Sequence, residues 1–299
     1  MVSVVMTTCK RNEKTVERAV KSVVSQTYGD WELIVVDDSP ADYPYRDEVK
    51  KCVLSLVTSD KITYISNAVN SGACYSRNVG LAVAKGEYIA YLDDDDEWLP
   101  QKLEEQVKEL KHADRETAMV YGPFYRVDEE TGKKELVMAG NYSGYVYEEL
   151  MTKCNFIGGL SMPMMRTACV KEAGGFDEQL QAAQDLDLWL RIAQKYKIKY
   201  MPSPLLLYYI HGDQITNNPR KKIQGLERLN QKNKAYLDAN PSAWYGRHMA
   251  ILPYYVRNGE MKKAIAVWWQ CVKKQPLNIA ENTGMLLTLI RLKRSMNNG

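Results

Sequence analysis

Four consecutive aspartates, Asp93, Asp94, Asp95 and Asp96, are the residues of this chain best suited to chemistry. They follow residues 87–92, an apolar run that predicts a buried strand. Alternate side chains of an extended segment point the same way, so Asp93 and Asp95 are expected to face one side and Asp94 and Asp96 the other. Two such carboxylates suit Mg²⁺ or Mn²⁺, which takes one or two carboxylates and leaves its other positions to water and phosphate.

The elements that position this run decide whether it binds a ligand or is only an acidic, solvated loop. Short β-branched segments predict strands, and apolar residues at helical spacing predict helices. They alternate as strand 2–7, helix 12–26, strand 32–37, strand 62–65, helix 72–84, strand 87–92, helix 101–112 and strand 118–121. This order predicts an α/β fold with a doubly wound, mostly parallel, Rossmann-like sheet. Because ligands bind at the carboxyl ends of such strands, the order favours a ligand site.

The remainder of the chain changes character. A hairpin is predicted around residues 129–133, a helix over 185–196, and strands over 199–202 and 205–210. From Arg220 onward the pattern is helical, and one helix–turn–helix around residues 258–260 resembles a single tetratricopeptide-like unit, too few for an array. We therefore expect a domain over 1–218, with a nucleotide-binding part (1–122) and an acceptor-binding part (123–218), followed by a C-terminal helical appendage (219–299).

Composition excludes several classes of protein. The net charge of +3, from 40 basic and 37 acidic residues, does not support nucleic acid as the main partner. The six cysteines are scattered without Cys-x-x-Cys pairs, which is typical of structural thiols in a reducing compartment. Charges follow the first apolar stretch and no run approaches 18 apolar residues, so a cytoplasmic location without signal peptide or membrane span is expected.

Five segments, in order, resemble the blocks of glycosyltransferase family 2, whose members have the inverting GT-A fold. They begin at Val2, Ile34, Asn70, Tyr91 and Gln184: Val-Ser-Val-Val-Met-Thr-Thr-Cys-Lys-Arg-Asn, Ile-Val-Val-Asp-Asp-Ser, Asn-Ser-Gly-Ala-Cys-Tyr-Ser-Arg-Asn-Val-Gly, Tyr-Leu-Asp-Asp-Asp-Asp-Glu-Trp and Gln-Asp-Leu-Asp-Leu-Trp-Leu-Arg. One such block is weak evidence, whereas five in family order across residues 2–216 are strong. The resemblance implies a GT-A fold and transfer of a sugar from a nucleotide diphosphate.

The resemblance also implies roles for individual residues of the donor site. Asp38 would accept the N–H of the base, Arg77 would brace the base or phosphate, and Asp93 would reach the ribose. Asp95 and His211 would bind Mn²⁺ or Mg²⁺ under the diphosphate. The residues implied in binding the donor nucleotide are Thr8, Asp38, Arg77, Asp93 and Asp94.

For the transfer itself, the resemblance implies that Asp185 is the catalytic base. Relatives most often have Glu-Asp where this chain has Gln184-Asp185, a departure that indicates a changed contact to donor or acceptor. Gly159, Gln184 and Arg191 are implied on the acceptor side, and residues 212–222 as a lid or a linker. Asp187 and Trp189 are expected to serve helix packing and surface charge.

We therefore predict an inverting transferase that adds a single sugar from a UDP- or dTDP-sugar to a glycan or lipid-linked acceptor in surface polysaccharide or glycoconjugate biosynthesis. The Gln-x-x-Arg-Trp block of processive synthases is absent from the sequence. Two alternatives stay open: a sugar-1-phosphate nucleotidyltransferase, whose glycine-rich phosphate loop the first segment lacks, and a catalytically silent nucleotide-sugar-binding adaptor. The basic, apolar segment 285–296 predicts either peripheral contact with a membrane surface or closure of the helical core.

Overall fold

The computed structural model of this protein describes residues 1–153, 155–210 and 218–297. They form two compact units. The first holds Met1–Val146, Ile157–Glu178 and the described residues from Arg191 to Ile210. The second holds the described residues of Tyr147–Phe156, those of Gln179–Leu190 and those from Asn218 onward. Two segments from the middle of the chain are thus grouped with the C-terminal helices, and the boundary near residue 218 stays a prediction.

All the strands described here belong to the first unit, and most are short apolar runs. They are β1 (Val2–Thr8), β2 (Trp31–Asp37), β3 (Ile62–Ser66), β4 (Tyr88–Asp93), β5 (Glu97–Trp98), β6 (Thr117–Tyr121), β7 (Phe124–Asp128), β8 (Lys134–Val137), β9 (Met164–Arg166), β10 (Lys197–Tyr200) and β11 (Leu206–Ile210).

Helices alternate with these strands and then dominate the second unit. They are α1 (Glu13–Val24), α2 (Arg46–Leu56), α3 (Ala73–Val83), α4 (Lys102–His112), α5 (Tyr147–Thr152), α6 (Thr167–Glu172), α7 (Gln184–Ala193), α8 (Pro219–Lys232), α9 (Lys234–Ala239), α10 (Pro241–Met249), α11 (Leu252–Arg257), α12 (Met261–Lys274) and α13 (Ile279–Asn297).

The larger sheet has the order β10-β6-β9-β4-β1-β2-β3 among the described residues. Strands β4, β1, β2 and β3 are parallel, as the alternating pattern predicted. Strand β1 lies at their centre, and its apolar residues are fully buried because helices cover both faces of such a sheet. The parallel register sets Thr7 opposite Asp93 and Thr8 opposite Asp37, so three strands end at one edge.

A smaller sheet has the order β5-β11-β7-β8. Strands β7 and β8 form the predicted antiparallel hairpin. Strand β5 starts immediately after the four aspartates and pairs with β11 through Trp98 and Leu206. The aspartates therefore connect a strand of the larger sheet to a strand of the smaller one, which fixes both ends of the acidic segment.

Close approaches at glycine organise the second unit. A Cβ on Gly246 of α10 would lie 1.9 Å from the Thr152 carbonyl oxygen at the end of α5. A Cβ on Gly225 of α8 would lie 2.3 Å from the Ala182 carbonyl oxygen. Since neither approach leaves room for a side chain, both helices lie directly against backbone.

The predicted turn at Asn258 and Gly259 separates α11 from α12. No described helix combines the length and apolar character needed to cross a membrane.

Candidate functional site

The acidic turn, Asp93–Asp96, joins β4 to β5. The extended conformation expected from the sequence is wrong, because the Asp96 N–H donates to the Asp93 carbonyl oxygen at 3.1 Å and closes a turn. Exposure alternates nevertheless: Asp94 and Asp96 are buried, whereas Asp93 and Asp95 are partly exposed. Asp93 and Asp95 are therefore the two carboxylates of the turn that solvent reaches.

Two arginines neutralise three of these carboxylates. Arg11, just beyond β1, donates from Nε to Asp94 Oδ1 at 3.0 Å and from Nη2 to Asp95 Oδ2 at 2.7 Å. Arg77 of α3 donates from Nη2 to Asp93 Oδ1 at 3.0 Å. Arg77 is only 9% exposed, which excludes a solvated helix charge at this position. Charge-assisted bonds of this kind are stronger than neutral ones, so they hold the turn firmly.

A third arginine contacts the backbone of the acidic turn. Arg18 of α1 donates from Nη2 to the Asp95 carbonyl oxygen at 2.8 Å. Its guanidinium lies 3.7 Å from the centroid of the Tyr209 ring, and Nη1 pairs with Glu129 at 2.9 Å. Arg18 thus supports the shape of the turn without bonding to its carboxylates.

Burial alters the acidity of Asp94. Its removal from water raises the pKa of this carboxyl to about 6, and the Arg11 guanidinium acts in the opposite direction. The neighbouring charge of Asp95 adds to the increase. Asp94 is therefore partly protonated near pH 6, although it faces an arginine.

Asp96 is the most deeply placed carboxyl of the turn. Burial raises its pKa well above the usual range, and the charges of Asp93 and Asp95 add to the increase. Ser161 sits beside it: the Asp93 N–H donates to Ser161 Oγ at 2.9 Å, and Trp98 Nε1 donates to the Ser161 carbonyl oxygen at 2.9 Å. Ser161 lies two residues after Gly159, which the resemblance implies on the acceptor side, and it braces the acidic turn.

The ends of β1 and β2 bring two more predicted residues to this edge. Thr8 is buried, and its hydroxyl makes no hydrogen bond of normal geometry with the described residues. The Asp38 N–H donates to the Thr8 carbonyl oxygen at 2.8 Å. The Asp38 carboxylate accepts from Asn67 Nδ2 at 2.7 Å and from the backbone N–H groups of Ser71 and Gly72 at 2.9 and 2.8 Å. Asp38 therefore shapes the loop that leads into α3.

Asp185 lies in the second unit, in the first turn of α7. Its Oδ2 accepts from Asn155 Nδ2 at 2.9 Å, and its Oδ1 accepts from the Leu186 N–H at 2.8 Å. The side chain is partly exposed. Ala183, two residues earlier, has a positive φ of 59°, which is uncommon for a residue other than glycine. A constrained backbone thus leads into the helix that carries the predicted base.

The other residues of the block beginning at Gln184 have distinct environments. Gln184 donates from Nε2 to the Leu180 carbonyl oxygen at 2.9 Å. Trp189 is fully buried, as helix packing predicted. The surface role expected for Asp187 is wrong: this residue is 2% exposed and pairs with Lys232 Nζ at 2.5 Å. Sequence spacing could not show this pair, because Lys232 lies on a different helix.

The remaining acceptor-side residues belong to the first unit. Arg191 donates from Nη1 to the Ala173 carbonyl oxygen. Gly159 has no atom within 4 Å of the position of a Cβ, so this position would accommodate a side chain. Its carbonyl oxygen accepts from the Met162 N–H at 3.3 Å, one turn beyond. The roles of both residues toward an acceptor stay predictions.

The metal chemistry predicted for the acidic turn depends on two carboxylates. Within residues 1–153, 155–210 and 218–297, no group of three or more His, Cys, Asp or Glu side chains could hold a metal ion. A cation that arrives with a diphosphate needs fewer protein ligands, because Mg²⁺ keeps phosphate and water oxygens and uses one or two carboxylates. Asp93 and Asp95, partly exposed hard oxygen donors, fit that requirement. His211 and residues 212–217 of the predicted lid lie outside the described residues.

Sequence reasoning missed four residues that shape the site. Arg11 and Arg18 contact the acidic turn, Ser161 braces it, and Asn155 bonds to Asp185. Arg11 alone had a usable signal, since a basic residue directly after one strand can neutralise an acidic run that ends the neighbouring strand. The other three depend on contacts between distant segments.

Comparison with known proteins adds independent findings. The family model described as Glycosyl transferase family 2 matches residues 3–169, more than half of the chain. WcaA of Escherichia coli (strain K12) is named as a colanic acid biosynthesis glycosyl transferase. It is 31% identical over 266 residues, which cover 87% of this chain and 90% of WcaA. WfgD of Escherichia coli is named as a UDP-Glc:alpha-D-GlcNAc-diphosphoundecaprenol beta-1,3-glucosyltransferase. It is 27% identical over 226 residues, 75% of this chain and 83% of WfgD.

A solved structure shares the fold. The crystal structure of S. aureus TarS 1–349 in complex with UDP-GlcNAc has a TM-score of 0.61 at 14% sequence identity, covering 100% of this chain and 92% of that one. At this identity the likeness concerns the fold alone, and it confirms the predicted α/β architecture. Given the family match and the similarity to WcaA, the chain belongs to glycosyl transferase family 2.

Proposed function

We propose that this glycosyltransferase moves a single sugar from a UDP- or dTDP-sugar to a hydroxyl of a glycan or lipid-linked saccharide, with inversion at the anomeric carbon. The observation that carries the proposal is the acidic turn, whose partly exposed carboxylates stand at the carboxyl edge of the sheet beside Thr8 and Asp38. The name of WfgD includes a UDP-sugar and a lipid diphosphate, and TarS was crystallised with UDP-GlcNAc, which supports this class of substrates.

In the donor site, each predicted residue has a role consistent with its surroundings. The hydroxyl of Thr8 and the remaining acceptor capacity of Asp38 would contact the nucleoside, and Asp93 would reach the ribose. Arg77 would brace the base or the phosphate, and the buried Asp94 would support binding of the donor nucleotide. Asp95, with His211, would hold Mg²⁺ or Mn²⁺, and the cation would supply positive charge that stabilises the departing diphosphate.

Asp185 would act as the base of a single in-line displacement. Its carboxylate takes the proton of the acceptor hydroxyl while the acceptor oxygen bonds to the anomeric carbon, and the bond from that carbon to the diphosphate breaks. The hydrogen bonds from Asn155 and Leu186 would orient the carboxylate. Gly159, Gln184 and Arg191 would contribute to acceptor binding, and the Gln184 amide offers hydrogen bonds without charge.

The direct test is transfer with a panel of nucleotide sugars in the presence of Mn²⁺ and after its removal with a chelator. Asp185→Asn keeps the shape of the side chain and should abolish transfer while nucleotide binding is retained. Asp42→Asn, a change at an exposed aspartate, is the control. Proton NMR of the product reports the anomer. Full activity in Asp185→Asn, or retention of the donor's configuration, would contradict the proposed mechanism.

The proposal includes peripheral contact of the C-terminal helices with an anionic membrane surface, in keeping with the cytoplasmic location expected from the sequence. Helices α12 and α13 form a groove of about 360 Å³ lined by apolar residues and by Lys293 and Arg294. Exposed apolar side chains stand on or between these helices, and exposed basic residues accompany them: Trp269, Leu277, Ile279, Leu287 and Ile290, with Lys273, Lys274 and Arg291. Such a combination suits the boundary between headgroups and acyl chains.

Vesicle flotation tests this contact. Phosphatidylcholine vesicles with phosphatidylglycerol should carry the protein, and vesicles without it should carry less. Leu287→Glu and Ile290→Glu should weaken binding, whereas Leu136→Glu, a change at an equally exposed leucine of β8, should not. Unchanged flotation of the two α13 variants, or of a protein that lacks residues 285–299, would contradict membrane contact.

A further inference from the structure

Arg11 is unusual among the arginines near the acidic turn because it bonds to two carboxylates at once. It reaches Asp94 at 3.0 Å and Asp95 at 2.7 Å, and no other described residue bridges these two side chains in an ion pair. Asp95 is also the predicted ligand of the cation. Arg11 therefore occupies, as a positive group, the carboxylate that a divalent cation would use.

Two positive groups on one carboxylate repel each other, and partial burial strengthens that repulsion relative to water. The side chain of Asp95 is only 15% exposed and that of Arg11 28% exposed. A cation that binds Asp95 without any accompanying anion would consequently work against the Arg11 charge. A cation that arrives with a diphosphate would bring negative charge for Arg11 to bond.

Arg77 and Arg18 differ from Arg11 in the groups that they contact. Arg77 of α3 has a side chain that is only 11% exposed, and it bonds to Asp93. Arg18 donates to the carbonyl oxygen of Asp95 and stacks on Tyr209, so it competes with no ligand for a carboxylate. Arg11 follows β1 on a loop, and its side chain is the most exposed of the three and is bound through its guanidinium. A guanidinium presents several donors in a fixed fork, which suits a pair of carboxylates and equally a diphosphate.

We propose that Arg11 is a diphosphate-binding residue held on the acidic turn: it neutralises Asp94 and Asp95 before the donor arrives and moves its hydrogen bonds to the donor's diphosphate when a divalent cation takes Asp95. This inference rests on the proposed function. It makes cation and nucleotide binding mutually dependent, since each removes the obstacle to the other.

The experiment compares wild type, Arg11→Gln and Lys10→Gln in two titrations. Lys10→Gln removes a charge of the same sign from the exposed residue next to Arg11, so it is the matched control. Mn²⁺ binding without nucleotide, followed by electron paramagnetic resonance, should be about tenfold tighter in Arg11→Gln. UDP binding at saturating Mn²⁺, followed by calorimetry, should be about tenfold weaker in that variant. Lys10→Gln should match wild type within about twofold in both titrations, because the charge of an exposed side chain is screened by water and salt.

Thermal unfolding of each variant checks that it is folded, and Arg11→Lys, which keeps the charge, should bind Mn²⁺ nearly as weakly as wild type. Equal affinities of Arg11→Gln and wild type for Mn²⁺ alone and for UDP, in a wild type that binds UDP, would overturn this inference alone. A wild type that binds neither UDP nor dTDP in the presence of Mn²⁺ would contradict the proposed function and this inference together.

Discussion

The aspartates of the first unit and the predicted base of the second unit are held in different ways. In the acidic turn, Asp93, Asp94 and Asp95 pair with arginine side chains. Asp185 instead accepts hydrogen bonds from the amide of Asn155 and from the Leu186 N–H, both of which are neutral donors. The predicted base therefore has neutral partners, whereas the three aspartates of the acidic turn have charged ones.

The difference suits the two kinds of chemistry. A carboxylate that will bind a cation can be neutralised by an arginine until the cation arrives, because one positive partner replaces another. A carboxylate that must accept a proton is weakened as a base by a permanent ion pair, since a nearby positive charge stabilises its charged form. Neutral donors orient Asp185 without placing a positive charge beside it. Four predictions test this comparison, beginning with the frame that holds the base.

The largest effect is expected at the buried ion pair of Asp187 and Lys232, which joins α7 to α8. Lys232→Met should lower the free energy of unfolding by about 3 kcal/mol, because it leaves a buried carboxylate without its lysine. Lys234→Met is the control, since its pair with Asp238 is more than half exposed at both ends and should contribute about 0.5 kcal/mol or less. Chemical denaturation measures both variants. Equal losses in the free energy of unfolding would mean that the buried pair does not stabilise α7, the helix that carries the predicted base.

A second prediction concerns pH and the acidic turn. The pKa of Asp94 is about 6 in the folded protein and near 3.8 in an unfolded chain, so between these values the folded state holds a proton that the unfolded state has released. Stability from this group is present below pH 4 and is lost as pH rises through 6. Between pH 4 and 7, wild type should therefore lose about 2 to 3 kcal/mol more than Asp94→Asn.

Thermal unfolding across this pH range, with Asp42→Asn as control for the removal of one carboxylate, measures the difference. Parallel pH profiles for wild type and Asp94→Asn would show that burial does not dominate the protonation of Asp94.

The fold was predictable where local pattern decides structure. Strands β1, β2 and β4 are apolar runs, and Asn12 caps α1 by accepting from the Thr15 N–H, as its position suggested. Strand β9 has only three residues, and its antiparallel place between β4 and β6 depends on residues far along the chain. Helix α2 was also missed, because only three of its residues are buried and its apolar stripe is weak.

The site was predictable in its residue types more than in its contacts. Period-two alternation correctly grouped Asp93 with Asp95 and Asp94 with Asp96, but it did not say which pair is exposed, and the turn at Asp96 was missed. Arg77 was found through its family segment, whereas its bond to Asp93 requires α3 and β4 to be adjacent. The ion pair of Asp187 could not be read from spacing. Features that depend on a pattern within one element were therefore predictable, whereas features that depend on contacts between elements were not.

A third prediction returns to the segment that leads into the base. Gly225→Ala should lower the free energy of unfolding by about 2 kcal/mol, because its Cβ would lie 2.3 Å from the Ala182 carbonyl oxygen and would force α8 away. Gly284→Ala in α13 is the matched control. With no atom within 4 Å of its Cβ, it should stabilise the helix by about 0.5 to 1 kcal/mol. Urea unfolding measures both changes in the free energy of unfolding. Changes of opposite sign in the two variants would support the packing argument, and changes of the same sign would contradict it.

The smallest effect tests the neutral partner of the base directly. Asn155→Leu removes the hydrogen bond to Asp185 Oδ2 and keeps a side chain of similar size, so the rate of transfer should fall about tenfold, equivalent to about 1.4 kcal/mol. KM for the donor should hardly change, because the lost bond lies on the side of proton transfer.

Asn155→Gln, which restores an amide, should recover part of the rate, and thermal unfolding shows whether either variant is merely unstable. A loss of rate that Asn155→Gln does not recover, in a protein that is fully folded, would assign Asn155 to packing alone. A loss that Asn155→Gln reverses would mean that Asp185 depends on a neutral amide, whereas the acidic turn relies on the charge of Arg11.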